Sequence, residues 1–219
     1  MEAVEIETGS PPRAAVIWLH GLGADGHDFE PIVPELRLKQ AVRFVFPHAP
    51  VQPVTINQGM RMRAWYDIFQ LGSGPDGAGG GRREDDKGIR ASQALIVKLI
   101  EEQPVPPEKI VLAGFSQGGA IALQTALRYP KPLAGVMALS TYLPIAATLA
   151  AERAAPNAQV PIFMAHGAYD DIIPIQRARD SKNFLEKLGY RIAWHEYPMP
   201  HSVCGEEVRE ISAFLTKLL

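Results

Sequence analysis

A chain of 219 residues, 47% hydrophobic and 21% charged, has the size and composition of one globular domain spanning residues 1–219. Its net charge of −2 provides no electrostatic basis for binding nucleic acid or an anionic membrane surface. The single cysteine, Cys204, excludes an internal disulfide framework and fits a reducing compartment.

The first seven residues, Met1 to Glu7, are acidic and lack the apolar stretch of a secretory signal. No apolar run is long enough to cross a bilayer, so a cytoplasmic location without integral membrane association is expected. Val4 to Glu7 reads as an edge strand, Ala14 to Leu19 as a first buried strand and Val42 to Phe46 as a second. Pro47 to Trp65 shows little regular pattern, and loops of that length in compact domains are often functional. Leu71 to Arg83 is glycine-rich; no strand precedes its three consecutive glycines and no Gly-Lys-Ser/Thr follows, so it reads as a surface connection and not a phosphate loop. Further strands are predicted at Ile110–Ala113, Gly135–Leu139, Ile162–Ala165 and Ile192–Tyr197. Apolar residues at three- and four-residue spacing predict helices over Lys87–Glu102, Gln117–Tyr129, Ile175–Leu188 and Glu206–Leu218. Strands alternating with helices, and apolar enough to be covered on both sides, imply an α/β fold: a mostly parallel central sheet flanked by helices on both faces.

The apolar run Ile110 to Ala113 breaks into Gly114-Phe115-Ser116-Gln117-Gly118, a G-x-S-x-G pattern between a strand and a helix. In that setting a serine sits on a sharp turn with its hydroxyl exposed above the sheet. Ser116 is therefore the candidate nucleophile, and a serine needs a base in hydrogen-bond reach and a carboxylate to orient that base. Of the histidines that follow, His195 lies inside the last strand and reads as structural. His201 leaves that strand in a loop and is the better base. The acid should follow the preceding strand, where Asp170 and Asp171 both qualify by position. Either could instead cap the helix that begins near Pro174, and spacing favours Asp170 only slightly. Two backbone N–H groups should receive the oxyanion: that of Gln117, after the nucleophile, and that of Leu22 in the glycine-containing turn His20-Gly21-Leu22-Gly23. His20 precedes the serine and reads as fixing that turn. Dispersed histidines, no H-E-x-x-H and one cysteine argue against a metal site, and no cofactor is expected.

Five ordered segments sharpen this picture: His20 to Phe29, Trp65-Tyr66-Asp67-Ile68, Gly114 to Gly119, His166-Gly167-Ala168-Tyr169-Asp170 and Tyr197 to Val203. Together they resemble the phospholipase/carboxylesterase family, which holds bacterial carboxylesterases and eukaryotic acyl-protein thioesterases, over nearly the whole chain from about Ala14. The resemblance implies an α/β-hydrolase fold, with Ser116 as nucleophile, Asp170 as acid, His201 as base, and Leu22 and Gln117 as oxyanion donors. It also implies an acyl pocket along Trp65 to Leu71, including Phe69, together with Tyr142 and Ile172. The expected activity is hydrolysis of small-molecule acyl esters through an acyl-enzyme. Long-chain thioesters of S-acylated proteins, or lysophospholipids, are the alternative substrates. A non-catalytic ligand-binding module on the same fold is the remote rival, and it predicts a missing triad member. A homodimer would cover part of a cleft edged by the apolar loops between Pro47 and Leu71.

Overall fold

The computed structural model describes residues 1–69 and 84–219, so Leu71 and the glycine-rich stretch 71–83 lie outside the described residues. In chain order the elements are β1 (Ala3–Glu7), β2 (Ala14–Leu19), α1 (Ile32–Leu36), β3 (Val42–Pro47), β4 (Val51–Val54), β5 (Met60–Arg63), α2 (Asp86–Glu101) and β6 (Ile110–Phe115). They continue with α3 (Gln117–Ala126), β7 (Gly135–Leu139), α4 (Ala146–Glu152), β8 (Ile162–Gly167), α5 (Ile175–Lys187), β9 (Ile192–Tyr197) and α6 (Gly205–Leu218). Seven strands make one sheet in the order β1-β3-β2-β6-β7-β8-β9. β1 runs antiparallel to β3, and every other neighbouring pair in this sheet is parallel.

Alternation along the strands divides the core in two. Ala15, Ile17 and Leu19 of β2 point to the face covered by α2, α3 and α5; Ala14, Val16 and Trp18 point to the face covered by α1 and α6. All six β2 residues are buried, as expected of a strand covered on both sides. The amphipathic α2 buries Ile89, Ile96, Leu99 and Ile100, and its first turn is capped by Asp85, whose side chain accepts the Gly88 N–H at 2.9 Å. By contrast α3 is buried on every side, lying between the sheet and α2, which explains its lack of charged residues. It ends at Ala126, three residues before the expected stop, where the Arg128 N–H bonds the Thr125 carbonyl and tightens the turn.

Four elements were not legible as such in the sequence. The β4–β5 hairpin occupies part of the segment that reads as patternless; its alternation Met60-Arg61-Met62-Arg63 is a period-two signal over only four residues. The helices α1 and α4 have five and seven residues, too short for helical periodicity to stand out. Among the described residues no helix is long and apolar enough to cross a membrane.

One feature of the core runs against its apolar character. Glu207, in the first turn of α6, is fully buried, and burial pushes its carboxyl from an ordinary value of 4.5 up to about 8. The unfolded chain ionises this group first, so between those two pH values the native state holds the extra proton. Stability contributed by Glu207 is therefore present at low pH and lost as pH rises through about 8. Glu207→Gln should flatten this dependence and raise stability at pH 9 by a few kcal/mol relative to its effect at pH 5. Urea denaturation at the two pH values checks this; equal changes at both would contradict it.

Candidate active site

The parallel pairing of β2 and β6 sets Leu19 opposite Gly114, so the loops leaving the two strands start side by side. The chain then departs in opposite directions, from β2 to β3 on one side and from β6 to β7 on the other. Such a reversal opens a crevice at the carboxyl ends of the strands, the usual place for a site in an open α/β sheet. Ser116 stands at its centre.

Ser116 has φ 55° and ψ −121°, a conformation that costs a residue with a Cβ about 1–3 kcal/mol. Its neighbours must be small. A Cβ on Gly114 would lie 2.3 Å from the Gly118 carbonyl carbon, and one on Gly118 would lie 2.3 Å from the Leu19 carbonyl oxygen. The strained turn is held by the Ser116 N–H, which donates to the Leu139 carbonyl at 2.8 Å, and by the Thr141 hydroxyl, which donates to the Ser116 carbonyl at 2.6 Å.

The Ser116 Oγ lies 2.9 Å from His201 Nε2, and His201 Nδ1 lies 2.7 Å from Asp170 Oδ2. Serine, imidazole and carboxylate therefore form one unbroken hydrogen-bonded chain, with Phe115 packed against the imidazole at 4.7 Å between ring centroids. Asp170 is buried, whereas Asp171 is exposed, which separates two carboxylates that sequence spacing scarcely distinguishes. Asp170 Oδ1 accepts the N–H groups of Ile172 and Ile173 at 3.0 and 2.8 Å, a turn preceding α5 and not a cap on its first residue. Burial opposes ionisation of Asp170. Hydrogen bonds from His166, His201 and the Ile173 N–H outweigh that penalty and hold its carboxyl well below the usual carboxylate range. His166, four residues ahead of the acid, supplies a contact that the sequence reading did not assign: its Nε2 lies 3.2 Å from Asp170 Oδ2 and 2.8 Å from the Ile173 carbonyl. His195 stacks on Phe163 at 4.8 Å between ring centroids and takes no part in this chain of groups.

Ser116 and His201 open into a cavity of about 560 Å³, within the range of small-molecule pockets. Leu22 and Gln117, the expected oxyanion donors, line the same cavity, as do Phe69, Tyr142 and Ile172. Its apolar wall also takes in Ile68, inside the expected stretch 65–71, and Ile56 and Ile173, which were not expected there. Trp65 is not in the wall: its ring is buried behind the His20–Leu22 turn, and its indole N–H donates to the His20 carbonyl at 2.9 Å. Tyr66, the next residue, does reach the cavity. Leu71 lies outside the described residues. On the far wall the Tyr66 and Tyr142 hydroxyls are 2.9 Å apart, and the Arg177 guanidinium sits 3.1 Å over the Tyr142 ring.

A model of one protein family, described as Phospholipase/Carboxylesterase, matches residues 1–219. The chain belongs to the phospholipase/carboxylesterase family. It is therefore a hydrolase, and its sheet order and flanking helices are those of the α/β-hydrolase fold. Among its relatives, acyl-protein thioesterase 1 of Gibberella zeae is 42% identical over 96% of this chain and 92% of its own. Acyl-protein thioesterase 1 of Mycosarcoma maydis is 39% identical over 97% and 94%. Among solved structures, Zea mays acyl-protein thioesterase 2 superposes with a TM-score of 0.86 at 26% identity, covering 99% of this chain and 98% of its own. Arabidopsis thaliana SOBER1 gives a TM-score of 0.86 at 27% identity, covering 94% and 98%.

The strain at Ser116 has a measurable consequence. Glycine adopts its φ and ψ without the Cβ penalty, so Ser116→Gly should be about 1 kcal/mol more stable than Ser116→Ala. Chemical denaturation of the two variants checks this, and a glycine variant less stable than the alanine one would contradict a strained elbow.

Proposed function

We propose that this protein is a serine hydrolase that removes long-chain acyl groups, with S-acylated proteins as its substrate class, through Ser116, His201 and Asp170. The observation that carries the reading is the continuous Ser116–His201–Asp170 chain at the mouth of a largely apolar cavity of about 560 Å³. Of the two substrate readings open from sequence, the small-ester carboxylesterase is the less favoured. The relatives at 42% and 39% identity bear the name acyl-protein thioesterase, and the isoleucine-rich wall suits an extended alkyl chain. The non-catalytic alternative requires a missing or displaced triad member, which this geometry does not support.

In the proposed mechanism His201 Nε2 takes the proton of Ser116 Oγ as the oxygen attacks the acyl carbonyl. Asp170 keeps the imidazole in the Nδ1–H tautomer and offsets the charge that it acquires. The Leu22 and Gln117 amides stabilise the tetrahedral oxyanion, each donor being worth roughly 3 kcal/mol. Collapse expels the thiol or alcohol with a proton from His201, and water repeats the sequence to free the carboxylic acid. No cofactor takes part. Although burial opposes it, hydrogen bonding keeps the Asp170 carboxyl ionised far below neutral pH, so it stays the charged partner of the imidazole.

Two measurements test this. With acyl thioesters and p-nitrophenyl esters of increasing length, kcat/KM should rise steadily past a twelve-carbon chain. A maximum at acetyl or butyryl would return the small-ester reading. Asp170→Asn should lower kcat on the order of 10⁴-fold with KM little changed. A loss below tenfold would remove Asp170 from its assigned role.

A further inference from the structure

The two proposed oxyanion donors come from different parts of the chain, the Leu22 amide from the turn after β2 and the Gln117 amide from the start of α3. An oxyanion site works only if both N–H groups are already aimed when charge develops. The turn that carries Leu22 includes Gly21 and Gly23, the latter at φ +78°, so it depends on hydrogen bonds to hold its shape. The Ala24 N–H closes it on the Gly21 carbonyl at 3.4 Å and the Gly23 N–H donates to the Arg63 carbonyl at 2.9 Å. Further restraint comes from side chains.

We propose that Trp65, together with the His20 and Gln117 side chains, is the positioning device that sets the two oxyanion donors relative to each other. This rests on the triad reading above. The Gln117 side chain holds the Trp65 segment at two points: its Oε1 accepts the Trp65 N–H at 2.7 Å and its Nε2 donates to the Tyr66 carbonyl at 2.7 Å. Ser92 Oγ donates to the Trp65 carbonyl and completes the anchoring of that backbone. From there the Trp65 indole N–H donates to the His20 carbonyl at 2.9 Å. One residue thus bonds to both sides of the site.

His20 carries the restraint onward to Leu22. Its Nε2 accepts the Ala49 N–H at 3.0 Å, so that nitrogen is unprotonated and the ring proton sits on Nδ1. Nδ1–H then donates to the Gly21 carbonyl at 2.6 Å. The Gly21 carbonyl and the Leu22 N–H belong to one planar peptide and point in opposite directions, so fixing the first aims the second. His20, Trp65 and Gln117 are almost completely buried, and none of their bonds competes with solvent. Trp65 therefore acts on the reaction without lining the cavity.

Trp65→Phe removes the indole N–H, and Gln117→Met removes both side-chain bonds while keeping the Gln117 backbone N–H. The readouts are kcat and KM on a long-chain p-nitrophenyl ester and the inhibition constant of a long-chain trifluoromethyl ketone. That ketone adds the serine oxygen and places its own oxyanion between the two donors. Each variant should lower kcat roughly 10- to 100-fold, the scale of an ångström-level misplacement, with KM within about twofold of wild type. Affinity for the ketone should fall by the same factor as kcat/KM. A merely structural role would lower the melting temperature and leave ketone affinity in step with wild type. Unchanged ketone affinity in both variants overturns the proposal, whatever happens to kcat. If Trp65→Phe does not fold, Gln117→Met alone decides by the same criterion. A wild-type protein that neither hydrolyses the ester nor binds the ketone overturns the triad reading along with it, whereas an active wild type with unaffected variants overturns the positioning role alone.

Discussion

The parallel pairing of β2 with β6 places Leu19 opposite Gly114, and with it the His20–Gly23 turn opposite the Gly114–Gly118 elbow. This juxtaposition has two sources. It follows from strand register and from the absence of Cβ atoms at Gly114 and Gly118, where the elbow meets the end of β2 at less than van der Waals distance for any larger residue. A one-residue slip would turn Leu19 and Ile17 out of their layer and Trp18 into it, so burial on both faces of the sheet enforces the register. The cleft inherits its geometry from that core.

Buried polar groups around the cleft follow a consistent logic. Asp170 is buried but surrounded by donors, and its charge is retained. In His20, burial lowers the pKa and outweighs the opposing hydrogen bond to Gly21, which keeps the imidazole neutral and suits a ring that must both donate and accept. Away from the cleft, Glu152 is held ionised, lowered to about 2 by bonds from Thr148, Arg128 and Arg90, and joins α4 to α2. Glu207 is the exception: burial pushes it up, with no cation beside it among the described residues. In each case the supply of hydrogen-bond donors, more than depth alone, decides whether the charge survives.

Much of this was legible in the residues. The apolar run before Gly114-Phe115-Ser116-Gln117-Gly118 announces a strand turning into a helix, and a histidine in the loop after the last strand announces a group at the same sheet edge. Burial was harder to read. Asp170 and Asp171 are chemically identical in sequence, and only the fold buries one and exposes the other. Trp65 invites a pocket assignment because it is large, apolar and next to residues that do line the cavity; side-chain direction in that irregular segment needed the three-dimensional path. His166 and the Gln117 side chain went unread for the same reason, since their partners lie elsewhere in space. Gln117 bonds to residues 51 and 52 positions away.

The central claim is that Ser116 is a nucleophile activated by His201. Incubation with a fluorophosphonate, followed by mass spectrometry of the peptide that contains Ser116, tests it most directly. The account predicts one phosphonyl adduct per chain, located on Ser116, and its near-complete loss in a folded His201→Ala variant. An unlabelled wild type, or an adduct on another residue, would contradict it.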